Sequence, residues 1–392
     1  AAAAAGAARQ VVKEELSRVG LSINNDKSSV YSPTGTCPSG CEDWWANAGR
    51  NDGFLACGKP FGADGFDYDA AGESVVFPVG SRNFVTDFLV DYVQKVKRFT
   101  DEVRNVVTFA EPGEPAVQVA NLLLRHCAGQ KAAHLLRLLP PDLTADLATQ
   151  VDSLVADCFA ELNNLTGTDL DACRPRLYHQ VAVGGLGLRP LAALRAAAFF
   201  GSWSQCACSV SAVLGGLAPA TADWVTRSLP FQQRVHGAVD LLRDDYGLDA
   251  LRLCEVSWSD FAAVERPKRQ KVLSQALLDV SAQRWLATAS QRQLQTALSG
   301  STSDKRPGAA DWLTATPTRD EVTLRDDVYR FSVRLRLGLT LADPDDRCLV
   351  FNNSTHRTCG RQVSAWVDHA PGCAKAARNI RHNWLRDWWL KV

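Results

Sequence analysis

Between residues 356 and 373 the chain places two histidines and two cysteines, His356-x2-Cys359 and His369-x3-Cys373, with nine residues between the pairs. Zinc binds four such nitrogen and sulfur donors in a closed tetrahedral site, so the spacing fits a small structural knuckle. Cys348 is an alternative ligand, and Asp368 is placed to orient His369 from behind the metal. Chance proximity is the competing explanation, since a Cys-x2-Cys pair is more specific and here a histidine stands first. The stretch that follows, "AKAARNIRHNWLRDWW", sets Lys375, Arg378, Arg381, His382 and Arg386 among Trp384, Trp388 and Trp389. Cations of this kind contact phosphate whatever the base sequence, and indole and guanidinium planes stack on unpaired bases. A structural helix with buried tryptophans would use the same residues.

Charge elsewhere is sorted by segment. Residues 121–137 carry Arg125, Lys131 and Arg137 without an acid, and residues 174–195 carry Arg174, Arg176, Arg189 and Arg195 without an acid. Between them, residues 141–171 hold Asp142, Asp146, Asp152, Asp157, Glu161, Asp169 and Asp171 without a base. Because formal net charge is zero, a polyanionic partner would have to be held by such local patches and not by the overall field. Solvated faces of separate helices explain the same pattern. No nucleotide-hydrolysis signature accompanies it: "VGGLGL" at 183–188 lacks both the GxGxxG pattern and a phosphate-loop lysine. Tyr178 and His179 precede it without a nucleophile, base and orienting acid forming a set. The acidic pairs in "FDYDAAG" and "LRDDYG" lack flanking apolar strands that would present them to catalytic metals, and read as surface.

The elements that must carry these residues are mostly helices. Residues 7–19 form a helical pattern that stops at Gly20, and "LSINNDKSSVYSP" suggests a turn and a short strand. Residues 34–73, rich in Gly, Asp and Cys, read as a loop-like insertion, and "SVVFPVGSRNFV" as a β-like run broken at Pro78 and Gly80. From Phe84 the period becomes helical, with Phe84, Phe88, Tyr92, Val96, Phe99, Val103 and Val107 on one face. Further helices are expected over 116–138, from Asp142 to about Leu162, and near 190–214, 231–245, 258–280, 281–299 and 320–337. "GSTSDKRPGA" at 300–309 is the clearest linker. Residues 196–222 carry no charge, yet their Ser, Gly, Gln and Ala content fits a buried helix better than a membrane span. Twelve cysteines without a secretory signal point to reduced, mostly buried thiols in an intracellular setting. The absence of methionine, even at position 1, implies a processed or truncated piece of something longer.

Read in order, these segments resemble the C-terminal half of a non-LTR retrotransposon reverse transcriptase whose polymerase is followed by a zinc knuckle and a restriction-like endonuclease. "LSINNDKSS" is similar to the palm motif GLxLNxxKS/T, with Lys27 at the lysine, and "VVFPVGSRNFV" to the primer grip. "LLLRHCAGQKAAHLLRLLPP" and "YHQVAVGGLGLRPL" look like thumb and post-thumb motifs. "DWLTATP", "FSVRLRLGL" and "TCGRQVSAWVDHAPGC" resemble the run into and through the knuckle. The likeness is collinear and omits 37–72 and about 210–300.

The resemblance implies a mainly α fold with a small α/β palm remnant, a helical thumb and post-thumb body, and a knuckle-like C-terminal module. It divides the chain into a partial palm at 1–86 with an inserted loop at 37–72, a body at 87–299, a linker at 300–310 and a module at 311–392. Lys27 would approach the phosphates of an incoming nucleotide, and Val79, Gly80 and Ser81 would lie at the primer grip. Arg125, Lys131, Arg137, Arg174, Arg176 and Arg189, with Arg378, Arg381 and Arg386 in the tail, would contact nucleic acid. His356, Cys359, His369 and Cys373, or Cys348 in exchange, would hold structural zinc. The implied partners are RNA, an RNA/DNA hybrid or DNA, without a membrane, and the implied location is nuclear. The family's catalytic aspartates would precede residue 1 and the endonuclease would follow residue 392. This chain alone is therefore expected not to polymerise, and magnesium would belong only to a longer form. The alternative is a domesticated or decayed helical interaction protein that does not bind nucleic acid.

Overall fold

The computed structural model describes residues 2–18, 20, 22–23, 37, 39–47, 53–58, 75–217, 229–255, 268–300, 310–319, 322–341, 347, 351–352 and 357–358. Lys27, Cys348, His356, Cys359, His369, Cys373, Arg378, Arg381 and Arg386 lie outside them. The described residues are mainly helical. In chain order they form α1 (Ala2–Arg18), α2 (Glu42–Asn47), β1 (Gly53–Gly58), β2 (Val75–Gly80), α3 (Arg82–Thr108) and α4 (Ala116–Leu123). A π-helical turn (Leu124–Ala128) continues α4 into α5 (Gly129–Lys131), followed by α6 (Ala133–Leu138), α7 (Pro141–Leu162) and α8 (Gly167–Tyr178). Then come α9 (Leu191–Leu217), α10 (Leu229–Tyr246), α11 (Ala250–Leu253), α12 (Arg269–Thr288), α13 (Gln291–Gly300) and α14 (Asp326–Leu337). Short 3-10 turns lie at Val181–Val183 and Asp311–Leu313, and β3 (Phe351–Asn352) pairs with β4 (Arg357–Thr358). Among the described residues no helix is long and apolar enough to cross a membrane.

Several expected elements differ in detail for identifiable reasons. The insertion at 34–73 is not all loop: it contains α2 and β1, and β1 pairs antiparallel with β2, setting Gly53 opposite Gly80 and Leu55 opposite Pro78. Each strand of a two-stranded sheet keeps one open edge, so a proline that cannot donate is compatible with the run it was expected to break. On α3 the buried stripe is Val85, Leu89, Val93, Val96, Thr100 and Val103, while Phe84, Phe88, Tyr92 and Phe99 are half-buried along its border. The apolar arc is wide, and its smaller members take the closely packed centre. Helix α8 was not anticipated. Its start is a capping box: the Asp169 amide donates to Thr166 Oγ1 (3.1 Å) and the Thr166 amide to Asp169 Oδ2 (3.2 Å).

The fold divides into two compact units interleaved in sequence, with the chain passing between them inside α3, α7, α9 and α12 and between α5 and α6. The first comprises Ala1–Lys95, Ala132–Gln150 and Ala192–Ala276. Val85, Leu89, Leu135, Leu136, Leu147, Phe199, Phe200, Leu242 and Leu273 are buried in it. There α9 and α12 meet at Gly201, where a Cβ would come within 2.6 Å of the Gln270 Cα, so only glycine permits that approach.

The second unit comprises Val96–Lys131, Val151–Leu191 and Leu277–Val392. Residues 311–341, which the sequence groups with the C-terminal module, belong to this unit and are held by a buried glutamine. Gln118 Nε2 donates to the carbonyls of Ala315 and Val322 (3.0 Å each), and its Oε1 accepts from the Leu324 amide (2.9 Å). Asp326 Oδ1 accepts from the Val117 amide (3.0 Å), one of the first-turn donors of α4 that has no partner within its own helix.

Gln118→Leu removes three hydrogen bonds and strands two carbonyls and an amide in a buried site. The expected cost is about 2–4 kcal/mol. Urea unfolding should show a lower midpoint for this variant, whereas Gln10→Leu on the exposed face of α1 should stay within about 0.5 kcal/mol of the parent.

Candidate nucleic-acid interface

The two acid-free segments meet in the second unit, where the π turn and α5 face the loop that follows α8. That loop is shaped by backbone bonds at close spacing. The amides of Leu186, Gly187 and Leu188 donate to the carbonyls of Arg176 (3.0 Å), His179 (2.9 Å) and Leu177 (2.9 Å). Gly184 (φ +87°) and Gly187 (φ +72°) adopt left-handed backbone that glycine alone takes readily. Gly185 has no room for a side chain, since a Cβ would sit 2.1 Å from the His179 carbonyl oxygen. The glycines of "VGGLGL" thus serve close packing.

Two buried arginines hold this loop. Arg176, from α8, donates from NH2 to the Gly184 carbonyl (2.8 Å) and from NH1 to Thr296 Oγ1 (2.9 Å), and its guanidinium lies 5.3 Å from the centre of the Trp285 ring. Arg336, from α14, donates to the carbonyls of Gly185 (2.9–3.0 Å) and Val181 (2.8 Å). Burial, with Arg336 as a second cause, lowers the Arg176 pKa to about 10. Burial, with Arg125 as a second cause, lowers that of Arg336 to about 10. Both remain charged at neutral pH. Arg176 was expected to contact nucleic acid. The structure corrects this, because its side chain is wholly buried and committed to the loop and to α13.

The other basic residues of these segments are nearer the surface. The Arg125 guanidinium lies across Gly187, where a Cβ would come 3.1 Å from its NH2, and it donates to the Leu313 carbonyl at 3.4 Å. Reciprocally, Arg189 lies across Gly129, where a Cβ would come 2.8 Å from the Arg189 Cβ, and it donates to Gln130 Oε1 (3.0 Å). Each arginine therefore rests on the other segment's glycine. Lys131 is exposed, with its ammonium 4.7 Å from the Phe99 ring centre. Arg174 is half-exposed, 3.9 Å from Asp171. Arg137 is exposed in the last turn of α6, in the first unit.

Most of the intervening acids are engaged locally. Within the second unit, Asp152 Oδ1 accepts from the Leu191 amide (2.8 Å), Asp157 from Ser153 (3.3 Å), Glu161 from Arg104, and Asp169 from Arg334 (3.0 Å). In the first unit Asp142 pairs with Arg234. Of the expected primer-grip residues, Val79 and Gly80 end β2, and Ser81 starts α3 by accepting the Phe84 amide at its Oγ (3.2 Å). Seven described cysteines are free thiols, and burial raises Cys158, Cys173 and Cys254 to about 11, 12 and 11. The described residues contain no group of three or more His, Cys, Asp or Glu able to hold a metal, and the expected zinc ligands are not among them. Reading the sequence missed Arg336 and the paired glycine contacts; the left-handed glycines were the only visible signal of a tight loop.

His179 is buried with its ring edge-on to Trp285 at 5.4 Å, and burial together with Arg176 lowers its pKa to about 4. A folded-state value below the unfolded value near 6.5 means that the unfolded chain binds the extra proton. Stability should therefore fall as pH drops from about 6.5 to about 4, by on the order of 2–3 kcal/mol. Chemical denaturation across that range should show the loss, and His179→Phe, which keeps a ring beside Trp285, should flatten it. Compared with protein-family models, characterised proteins and solved structures, the chain finds no match.

Proposed function

We propose that this chain is a nucleic-acid-binding piece of a retroelement RNA-directed DNA polymerase, gripping primer and template without itself carrying the catalytic aspartates. One observation carries the reading: two acid-free segments far apart in sequence lie against each other through Arg125 on Gly187 and Arg189 on Gly129, while Asp152, Glu161 and Asp169 between them are occupied elsewhere. Lys131, Arg174 and Arg189 then present cations at the surface of the second unit, which suits phosphate backbones read without regard to base sequence. In the same proposal Lys27 serves the nucleotide phosphates, and Val79, Gly80 and Ser81 the primer end. His356, Cys359, His369 and Cys373, or Cys348, clip a zinc knuckle, and Arg137, Arg378, Arg381 and Arg386 extend the contact.

Binding of an RNA/DNA hybrid, followed by fluorescence anisotropy, should weaken steeply with salt, because phosphate contacts release condensed counterions. Lys131→Gln and Arg189→Gln should each weaken it several-fold and lower the log–log salt slope by about 1. Absent or salt-independent binding would sink the reading.

A second reading, as a helical protein-interaction module, draws on α14. Val328, Phe331 and Leu335 are exposed one turn apart on the side away from buried Tyr329, Val333 and Leu337. A partner retained after nuclease treatment and lost in Phe331→Glu would favour it, whereas a partner released by nuclease would favour the first.

A further inference from the structure

We infer that Arg125 is the centre of a discrete site for one phosphate group, bound through its guanidinium at the mouth of the arginine-held loop. The inference rests on the nucleic-acid reading only for the source of that phosphate.

Arg125 is a cation without a matching anion among the described residues. A guanidinium has five N–H donors in a planar fork. Among the described residues, Arg125 spends one of them, on the Leu313 carbonyl at 3.4 Å, near the limit of a hydrogen bond. It is half-buried, and removal from water depresses its pKa. A cation in that position normally faces a carboxylate. Among the described residues no carboxylate pairs with Arg125 or with Arg176. The groups beneath are Arg176 and Arg336, which occupy the carbonyls of Val181, Gly184 and Gly185. Three helical segments thus direct arginines at one loop, and of the three Arg125 is the one whose side chain is not buried and can meet an external group.

The loop geometry fixes where those donors lie. Gly187 at φ +72° lets the guanidinium lie close against its backbone, since any Cβ there would meet NH2 and Nε at 3.1 and 3.2 Å. The side chain is therefore held before a ligand arrives, and less rotamer freedom is lost on binding. A planar, partly desolvated fork matches two oxygens of a phosphate. A phosphodiester of a nucleic-acid backbone and free phosphate both offer that group.

The test uses the whole chain and inorganic phosphate, replacing chloride at constant ionic strength, with thermal unfolding as the readout. A saturable rise in melting temperature is expected, with half-saturation at least tenfold weaker in Arg125→Gln and unchanged in Arg252→Gln, an exposed arginine of the first unit. If circular dichroism shows that Arg125→Gln does not fold, Arg125→Lys takes its place. It keeps the charge without the fork and should weaken half-saturation at least fivefold. No saturable response in the parent, or an equal response in the Arg125 variant, overturns the site. An RNA/DNA hybrid separates the sources. Competition between phosphate and hybrid assigns the site to a backbone phosphodiester. Phosphate binding without hybrid binding leaves the site standing for free phosphate while the nucleic-acid reading fails. Hybrid binding without a saturable phosphate response leaves that reading standing and overturns the site.

Discussion

Two guanidiniums buried on the carbonyls of one glycine-rich loop organise the second unit. Arg176 and Arg336 arrive from helices separated by more than a hundred residues and satisfy the carbonyls of Val181, Gly184 and Gly185 that the tight turn leaves facing inward. Burying a cation normally costs several kcal/mol, and arginine bears it better than lysine because its charge is delocalised and weakly hydrated. Carbonyl dipoles, Thr296 Oγ1 and the Trp285 face supply the compensating negative potential. Because no second ionised group is needed for Arg176, its hold on Gly184 brings in no carboxylate that would cancel the positive field nearby.

This arrangement makes the second unit strongly non-local. Gln118 reaches Ala315, Val322 and Leu324, and Arg176 reaches Thr296, so neither buried group is satisfied until chain from beyond α12 has docked. Leaving such groups unpaired is costlier than never having buried them. Residues 311–341 therefore cannot be treated as an appendage to this unit. Their polar contacts are part of its interior, and long-range closure of this kind slows folding relative to a bundle of neighbouring helices.

The helical character was legible in the sequence because periodicity and caps are local properties. The glycine exit after α1 and the long α3 follow from residues next to one another. What remained hidden depends on partners distant in the chain. A basic residue in an acid-free segment reads the same whether it will face solvent, like Lys131, or lie buried, like Arg176, and only the docking of α13 and α14 separates the two fates. Likewise "GFLACG" within a Gly- and Asp-rich stretch becomes a strand because β2 is there to pair with it. Helix α8 did carry a readable capping signal in Thr166 and Asp169, obscured by Pro175 within the helix.

Net neutrality and local charge are reconciled by how the acids are used. Asp152 is fixed on a backbone amide, Asp169 is divided between a helix cap and Arg334, and Glu161 is engaged by Arg104. Each of these carboxylates has its field offset by an adjacent donor or cation within a few ångströms. Lys131, by contrast, is set over an aromatic ring, and Arg125 and Arg189 over glycines. Of the three, Arg125 has no carboxylate partner among the described residues, so its contact positions a cation without neutralising it. A chain with no net charge can in this way keep a positive surface, and salt screening over about 10 Å confines its reach to a partner already close by.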